Sequence, residues 1–220
     1  MRLPPWLMVR FEDMINGYRR FRSGAWQSYH ERWEALAHGQ KPKVMVIACS
    51  DSRVEPTNIF DTHPGEIFVV RNVAALVPPF ETTPGLHGVS AALEFAVQVL
   101  GVSQIVVLGH GSCGGCQAAL SQGFKDAPPG EGGFIANWIQ MLDDARERVA
   151  GRHADLEGKA AQRDMEFEAV KVSLENLRTF PCIKSKEAKG NLTLHGAFFA
   201  IHDGVLHLLD EAEDEFSPVH

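Results

Sequence analysis

The sequence predicts an α/β fold, a mainly parallel central sheet flanked by helices, with an N-terminal helical arm and a C-terminal strand hairpin. Three observations predict it. Apolar runs at 44–48, 67–70 and 105–108 are short and continuous, the pattern of strands buried on both faces. Between the last two, Val89, Leu93, Ala96, Val97 and Leu100 mark one face of a helix over 88–100. Strands separated by helices are joined by crossovers, lie parallel, and carry functional sites at their carboxyl ends.

Taken in order, residues 1–40 read as a helical arm. Trp6, Leu7, Phe11, Met14, Ile15 and Tyr18 recur at three- and four-residue steps, and Trp26, Tyr29, Trp33 and Leu36 resume the pattern after Gly24. So aromatic a stripe needs cover, from its own core or from a second subunit. Residues 41–220 read as a single domain. After the third strand the chain turns helical from 115, crosses a Pro/Gly loop at 127–133, and forms helices over 134–149 and 160–177. Strands at 192–201 and 205–209, joined through His202-Asp203-Gly204, form the closing hairpin.

Composition excludes several classes of function. A net charge of −7 without any Lys/Arg block argues against nucleic acid, whose phosphates need a basic face. The apolar opening at 4–9 is far short of the roughly 20 residues that span a bilayer, and no cleavage site adjoins it, so no membrane association and a cytoplasmic location are expected. Four cysteines, at 49, 113, 116 and 182, are too few for a secreted disulfide scaffold. In a reducing compartment, close Cys/His spacing points to metal or catalysis.

The first strand ends Cys49-Ser50-Asp51-Ser52-Arg53. On an extended chain residues 49, 51 and 53 project to one side, so a thiol, a carboxylate and a guanidinium share a cleft. The third strand ends His110-Gly111-Ser112-Cys113, where an imidazole and a thiolate three apart can hold one ion. Zinc is the usual metal for mixed nitrogen and sulfur ligands. Adding Cys49 gives three ligands and leaves a fourth position open for water, the mark of a catalytic zinc. Cys116 keeps two alternatives open, a closed four-ligand structural site and a Cys113/Cys116 redox pair. The second of these gives His110, Asp51 and Arg53 no role.

Gly109-x-Gly111-x-x-Gly114 imitates half of a dinucleotide fingerprint, but no buried strand ending in an acid follows, so the glycines are read as freeing the turn for the metal ligands. His30, His38, His63, His153 and His220 read as solvent-facing, and Cys182 as a small buried hydrophobe.

Cys49-x-Asp51-x-Arg53 followed by His110-x-x-Cys113 resembles the signature of the beta-class carbonic anhydrases, and the segments at 48–54, 64–66, 68–74 and 108–115 are similar to family sequence. The resemblance implies zinc-dependent, reversible hydration of carbon dioxide to bicarbonate and a proton by a zinc-bound hydroxide. It implies Cys49, His110 and Cys113 as metal ligands, Asp51 as the acceptor that orients the bound water, and Arg53 as the group holding Asp51 ionised and away from the metal. Gln40, Phe68, Val73, Phe95 and Gly114 match substrate-binding positions, with Phe95 where plant-type members often carry Tyr. Val46 stands where bicarbonate-inhibited members carry Trp, so that inhibition is not expected. Family members pair through N-terminal helices, which implies a homodimer or dimer of dimers built by the arm. Cys182 and Ala197 depart from the family pattern.

Overall fold

The computed structural model describes residues 9–220. Trp6 and Leu7, which open the arm's aromatic stripe, lie outside the described residues, as does most of the apolar run at 4–9. The chain divides into two units, Met1–Gln40 and Lys41–His220. In the first, the helical pattern is interrupted twice, giving α1 (Phe11–Ser23), α2 (Ala25–Ser28) and α3 (His30–Ala37). Gly24 ends α1 in a non-helical conformation, its N–H returning to the carbonyls of Arg20 and Phe21. Phe11, Met14 and Tyr18, on one stripe of α1, are exposed.

The second unit is built on β1 (Val44–Cys49), β2 (Ile67–Asn72), β3 (Gln104–His110), β4 (Thr193–Ala200), β5 (Val205–Asp210) and β6 (Glu215–Pro218). Their order is β2-β1-β3-β4-β5-β6, parallel through the first four strands and antiparallel for the last two. The mainly parallel sheet and the closing C-terminal strands thus follow the sequence pattern. From β1 the chain passes to β2 on one side, whereas β3 and β4 lie on the other. The connections leaving β1 and β3 therefore diverge, and a crevice opens between the carboxyl ends of these two strands. The register pairs Ala48 with Leu108, which sets Cys49 and His110 on the lip of that crevice.

Helices connect and cover the strands: α4 (Pro56–Ile59), α5 (Gly88–Glu94), α6 (Gly114–Ser121), α7 (Gly133–Ile139), α8 (Asp143–Arg152), α9 (Lys159–Leu177) and α10 (Pro181–Ala188). The helix expected over 88–100 changes to a π-helical segment at Phe95–Leu100, and that over 134–149 is split by a 3-10 turn at Gln140–Leu142. Met45, Ile47, Ile105 and Val107 pack with Leu93, Val97, Val170 and Leu174 into one of two large apolar clusters. Alternate residues Val46, Ala48, Leu108 and Ala197 form a smaller one, fringed by half-buried Val44, Ile67 and Val106, so the expected cover of both faces is thinner here.

Gly109 shows how closely α9 seats on β3, because a Cβ there would lie 2.6 Å from Val170 Cγ2. Gly109→Ala is expected to destabilise the protein by about 1–3 kcal/mol through overpacking, read from the urea unfolding midpoint. An unchanged midpoint would contradict the close approach.

Three elements have no counterpart in the sequence pattern: α4, α10 and β6 are four, eight and four residues long. Three side-chain readings also change. Cys182 is only half-buried, in the first turn of α10, where it packs at the edge of the cluster around Met45 and Ile47. His63 and His153 are not solvent-facing but half-buried, with His153 Nε2 2.7 Å from Asp164 Oδ2. Among the described residues, no helix is long and apolar enough to cross a membrane.

Candidate metal centre

β1 stops at Cys49, and the chain then turns instead of continuing extended. The shared cleft expected from two-residue alternation is reached by a different route, with Arg53 folding back onto Asp51. Its Nε donates to Oδ1 at 2.8 Å and its Nη2 to Oδ2 at 2.6 Å, while its main-chain N–H adds a third bond to Oδ1 at 2.9 Å. These hydrogen bonds hold the Asp51 carboxyl well below the usual carboxylate range. Arg53 Nη2 also reaches the Ser112 carbonyl at 3.0 Å, tying the turn after β1 to the turn after β3.

Arg71, from β2, fastens the first turn from beneath. It donates to the carbonyls of Cys49 at 2.9 Å, Asp51 at 2.7 Å and Val54 at 3.3 Å, and pairs with the Glu55 carboxylate. The main chain carrying Cys49 and Asp51 is thus set by a planar fork, a geometry that a lysine could not supply.

The second turn is anchored residue by residue. The Gly111 N–H donates to the Phe199 carbonyl of β4 at 3.0 Å. Ser112 takes a left-handed φ of 56°, uncommon for a non-glycine residue and tolerated where surrounding bonds over-determine it. Cys113 stands at the N-cap of α6 and its N–H donates to Glu166 Oε1 at 2.9 Å. Glu166, on α9, is almost wholly buried, and burial pushes its carboxyl up. The sequence reading passed over this residue, although two glutamates set among apolar residues of one helix, Glu166 and Glu168, were a visible signal.

These turns bring Cys49, His110 and Cys113 together, all buried, with one ligand atom from each within 4.8 Å of the others. Among the described residues this is the group of three that could hold a metal ion. The imidazole is prepared for that task. His110 Nδ1–H donates to the Gly111 carbonyl at 2.9 Å, which leaves Nε2 buried without a hydrogen-bond partner and with its lone pair available. An orphaned nitrogen beside two thiols is costly in an ordinary core and suited to a thiophilic cation. Cys116, buried one turn into α6, lies against Cys113 but is not a member of the group.

Without metal both ligand thiols are pushed up to about 12, Cys49 by its hydrogen bond with Cys113 and by burial, Cys113 first by the Cys116 thiol. A raised thiol pKa means neutral sulfurs at pH 7, whereas a metal binds thiolates. Zinc uptake near neutrality is therefore expected to release at least two protons per ion, with affinity falling about a hundredfold per unit drop in pH. Zinc titration in weak buffer with a pH indicator reads this, and release of no proton would contradict it.

The remaining candidates are placed as follows. Phe68 and Phe95 meet, with ring centroids 6.0 Å apart. Val73 lies against Gly115 of α6, where a Cβ would sit 2.7 Å from Val73 Cγ1, and its carbonyl accepts the Trp138 indole N–H at 2.9 Å. Gly114 is exposed, with nothing within 4 Å of a Cβ placed on it. Gln40 is the exposed last residue of the first unit.

Comparison with known proteins agrees with this geometry. The family model described as carbonic anhydrase matches residues 44–206. A carbonic anhydrase of Pseudomonas aeruginosa is 40% identical over 206 residues, which cover 93% of this chain and 90% of that protein. Beta carbonic anhydrase 3 of Arabidopsis thaliana is 36% identical, covering 90% of this chain and 76% of its own length. Among solved structures, the beta-carbonic anhydrase CcaA superposes with a TM-score of 0.87 at 32% identity, covering 95% of this chain and 92% of that one. One of two tetrameric beta-carbonic anhydrases of Sordaria macrospora gives 0.76 at 28% identity, covering 90% and 96%. A buried Cys/His/Cys group at the lip of a parallel sheet, in a chain alike to these proteins over nearly its whole length, places it in a family: the chain belongs to the beta-class carbonic anhydrases.

Proposed function

We propose that this chain hydrates carbon dioxide reversibly to bicarbonate and a proton, using a zinc ion held by Cys49, His110 and Cys113. The observation that carries the reading is the buried donor trio with an unpartnered His110 Nε2, set beside a carboxylate that Arg53 keeps ionised. A bound zinc ion supplies Lewis acidity that makes water a nucleophile near neutral pH. The chain's own groups do the rest. The two thiolates match the charge of a divalent cation, and the bond from His110 to the Gly111 carbonyl fixes the ring's tautomer and direction.

Asp51 acts as a hydrogen-bond acceptor that orients the attacking water. As an ionised carboxylate it offers only acceptor lone pairs, so a water hydrogen-bonded to it turns a lone pair of its own towards the substrate. Arg53 keeps both Asp51 oxygens occupied and the group ionised at neutral pH. Phe68, Val73 and Phe95 provide apolar surface for a small substrate without dipole, and the open space beside Gly114 leaves room for it. Gln40 donates its amide to substrate or product.

The arm forms a homodimer or dimer of dimers, a reading supported by the exposed apolar stripe of α1. Free thiols at all four cysteines favour the cytoplasm. Stopped-flow assay of zinc-loaded protein at pH 7 and 8.5 tests the activity. Hydration above buffer that a chelator abolishes and zinc restores is expected, and none at either pH would refute it.

A further inference from the structure

We propose that Glu166 is a positioning residue for the metal centre, its buried carboxylate fixing the peptide of Cys113 so that the sulfur is presented to the ion. This rests on the zinc reading above. The carboxylate is only 2% exposed, and the bonds it makes are unusual for so buried a charge. Oε1 accepts from the Cys113 N–H at 2.9 Å and from Gln162 Nε2 at 3.1 Å. The nearest cation is Arg163, whose Nε stands 3.9 Å from Oε2, beyond hydrogen-bond range, while its guanidinium lies over the Phe198 ring at 4.7 Å. A buried carboxylate lacking a hydrogen-bonded ion pair is poor stabilising material, since an apolar side chain of similar volume does as well or better there. Its specific product is one bond to the main chain of a metal ligand.

That bond has a definite mechanical consequence. The turn from His110 to Cys113 is held from three sides: by Phe199 of β4 on Gly111, by Arg53 on Ser112 and by Glu166 on Cys113. With Ser112 in the left-handed region the turn does not hold its shape unaided. Among the described residues, Glu166 is the anchor of the Cys113 N–H, and rotation of that peptide would swing Sγ out of the group. Outer partners of this kind tune metal affinity by orienting the ligands, even though they never touch the ion.

Three substitutions separate the causes. Glu166→Gln keeps the reach and an acceptor oxygen but removes the charge. Glu166→Asp keeps the charge and withdraws the oxygen by one methylene, and Glu166→Met removes both. Zinc affinity of each apo protein is measured by competition with a chromophoric chelator, beside its melting temperature and the thiolate-to-cobalt charge-transfer band of the cobalt form. Glu166→Asp and Glu166→Met are expected to bind zinc about 10–100-fold more weakly than wild type and to shift that band. Glu166→Gln is expected to restore both towards wild type. Should Glu166→Met fail to fold, Glu166→Asp still decides. Lower melting temperatures with wild-type zinc affinity and an unshifted band would reduce Glu166 to a structural role and overturn the proposal. Loss in Glu166→Gln with wild-type affinity in Glu166→Asp would also overturn it, because charge rather than reach would then be at work. Wild-type protein that took up no zinc would instead sink the zinc reading itself.

Discussion

Cys113→Ala is expected to fold, to lose zinc on gel filtration, and to hydrate carbon dioxide no faster than buffer. The side chain removed is small and buried at the N-cap of α6, and the main-chain bond to Glu166 survives the substitution, so the turn keeps its course. What disappears is one of three donor atoms. Two remaining ligands cannot close the ion off from competing chelators, so affinity should fall by more than the roughly 10–100-fold typical of an outer-shell change. Metal content by atomic absorption and the melting temperature, read on the same sample, separate loss of metal from loss of fold. A folded Cys113→Ala protein with full zinc content would show that the ion sits elsewhere.

Asp51→Asn is expected to keep its zinc and lose activity, with kcat/KM lower by roughly a hundredfold. The substitution is isosteric, and Asp51 is not one of the three grouped donors, so metal content should stay at the wild-type level. The amide, however, presents an NH2 group where the carboxylate presented an acceptor, and one of its faces meets the Arg53 donors with a donor. The acceptor that orients the attacking water is thus lost along with the bidentate pair. Wild-type kcat/KM in this variant would remove Asp51 from the mechanism. Loss of zinc in step with activity would make it a metal-binding residue instead.

Much of this was legible because strong local signals coincided. The runs at 44–48, 67–70 and 105–108 became β1, β2 and β3, since a buried parallel strand is apolar on both faces and says so in sequence. Cys49, Asp51, Arg53, His110 and Cys113 could be singled out because each stands just where such a run ends. The finer geometry was not legible. Alternation along an extended chain put residues 49, 51 and 53 on one side, whereas hydrogen bonds from Arg53 and Arg71 bend the chain into a turn. The Arg71 bonds span 16 to 22 residues and leave no local pattern. α4 and β6, at four residues each, are too short to show a period, and the second begins in an exposed acidic stretch. The partner of Glu166 was not legible for a related reason: helical spacing shows that a residue faces inward but not which peptide it will meet there.

The claim at the centre is that three side chains, Cys49, His110 and Cys113, hold the ion and leave one position for water. X-ray absorption at the zinc edge counts the sulfur ligands directly, and Cys116 makes that count decisive. Two sulfurs with two lighter neighbours, unchanged in Cys116→Ser, is the expected result. Three sulfurs, falling to two in Cys116→Ser, would mean a closed four-ligand structural site and would contradict the account.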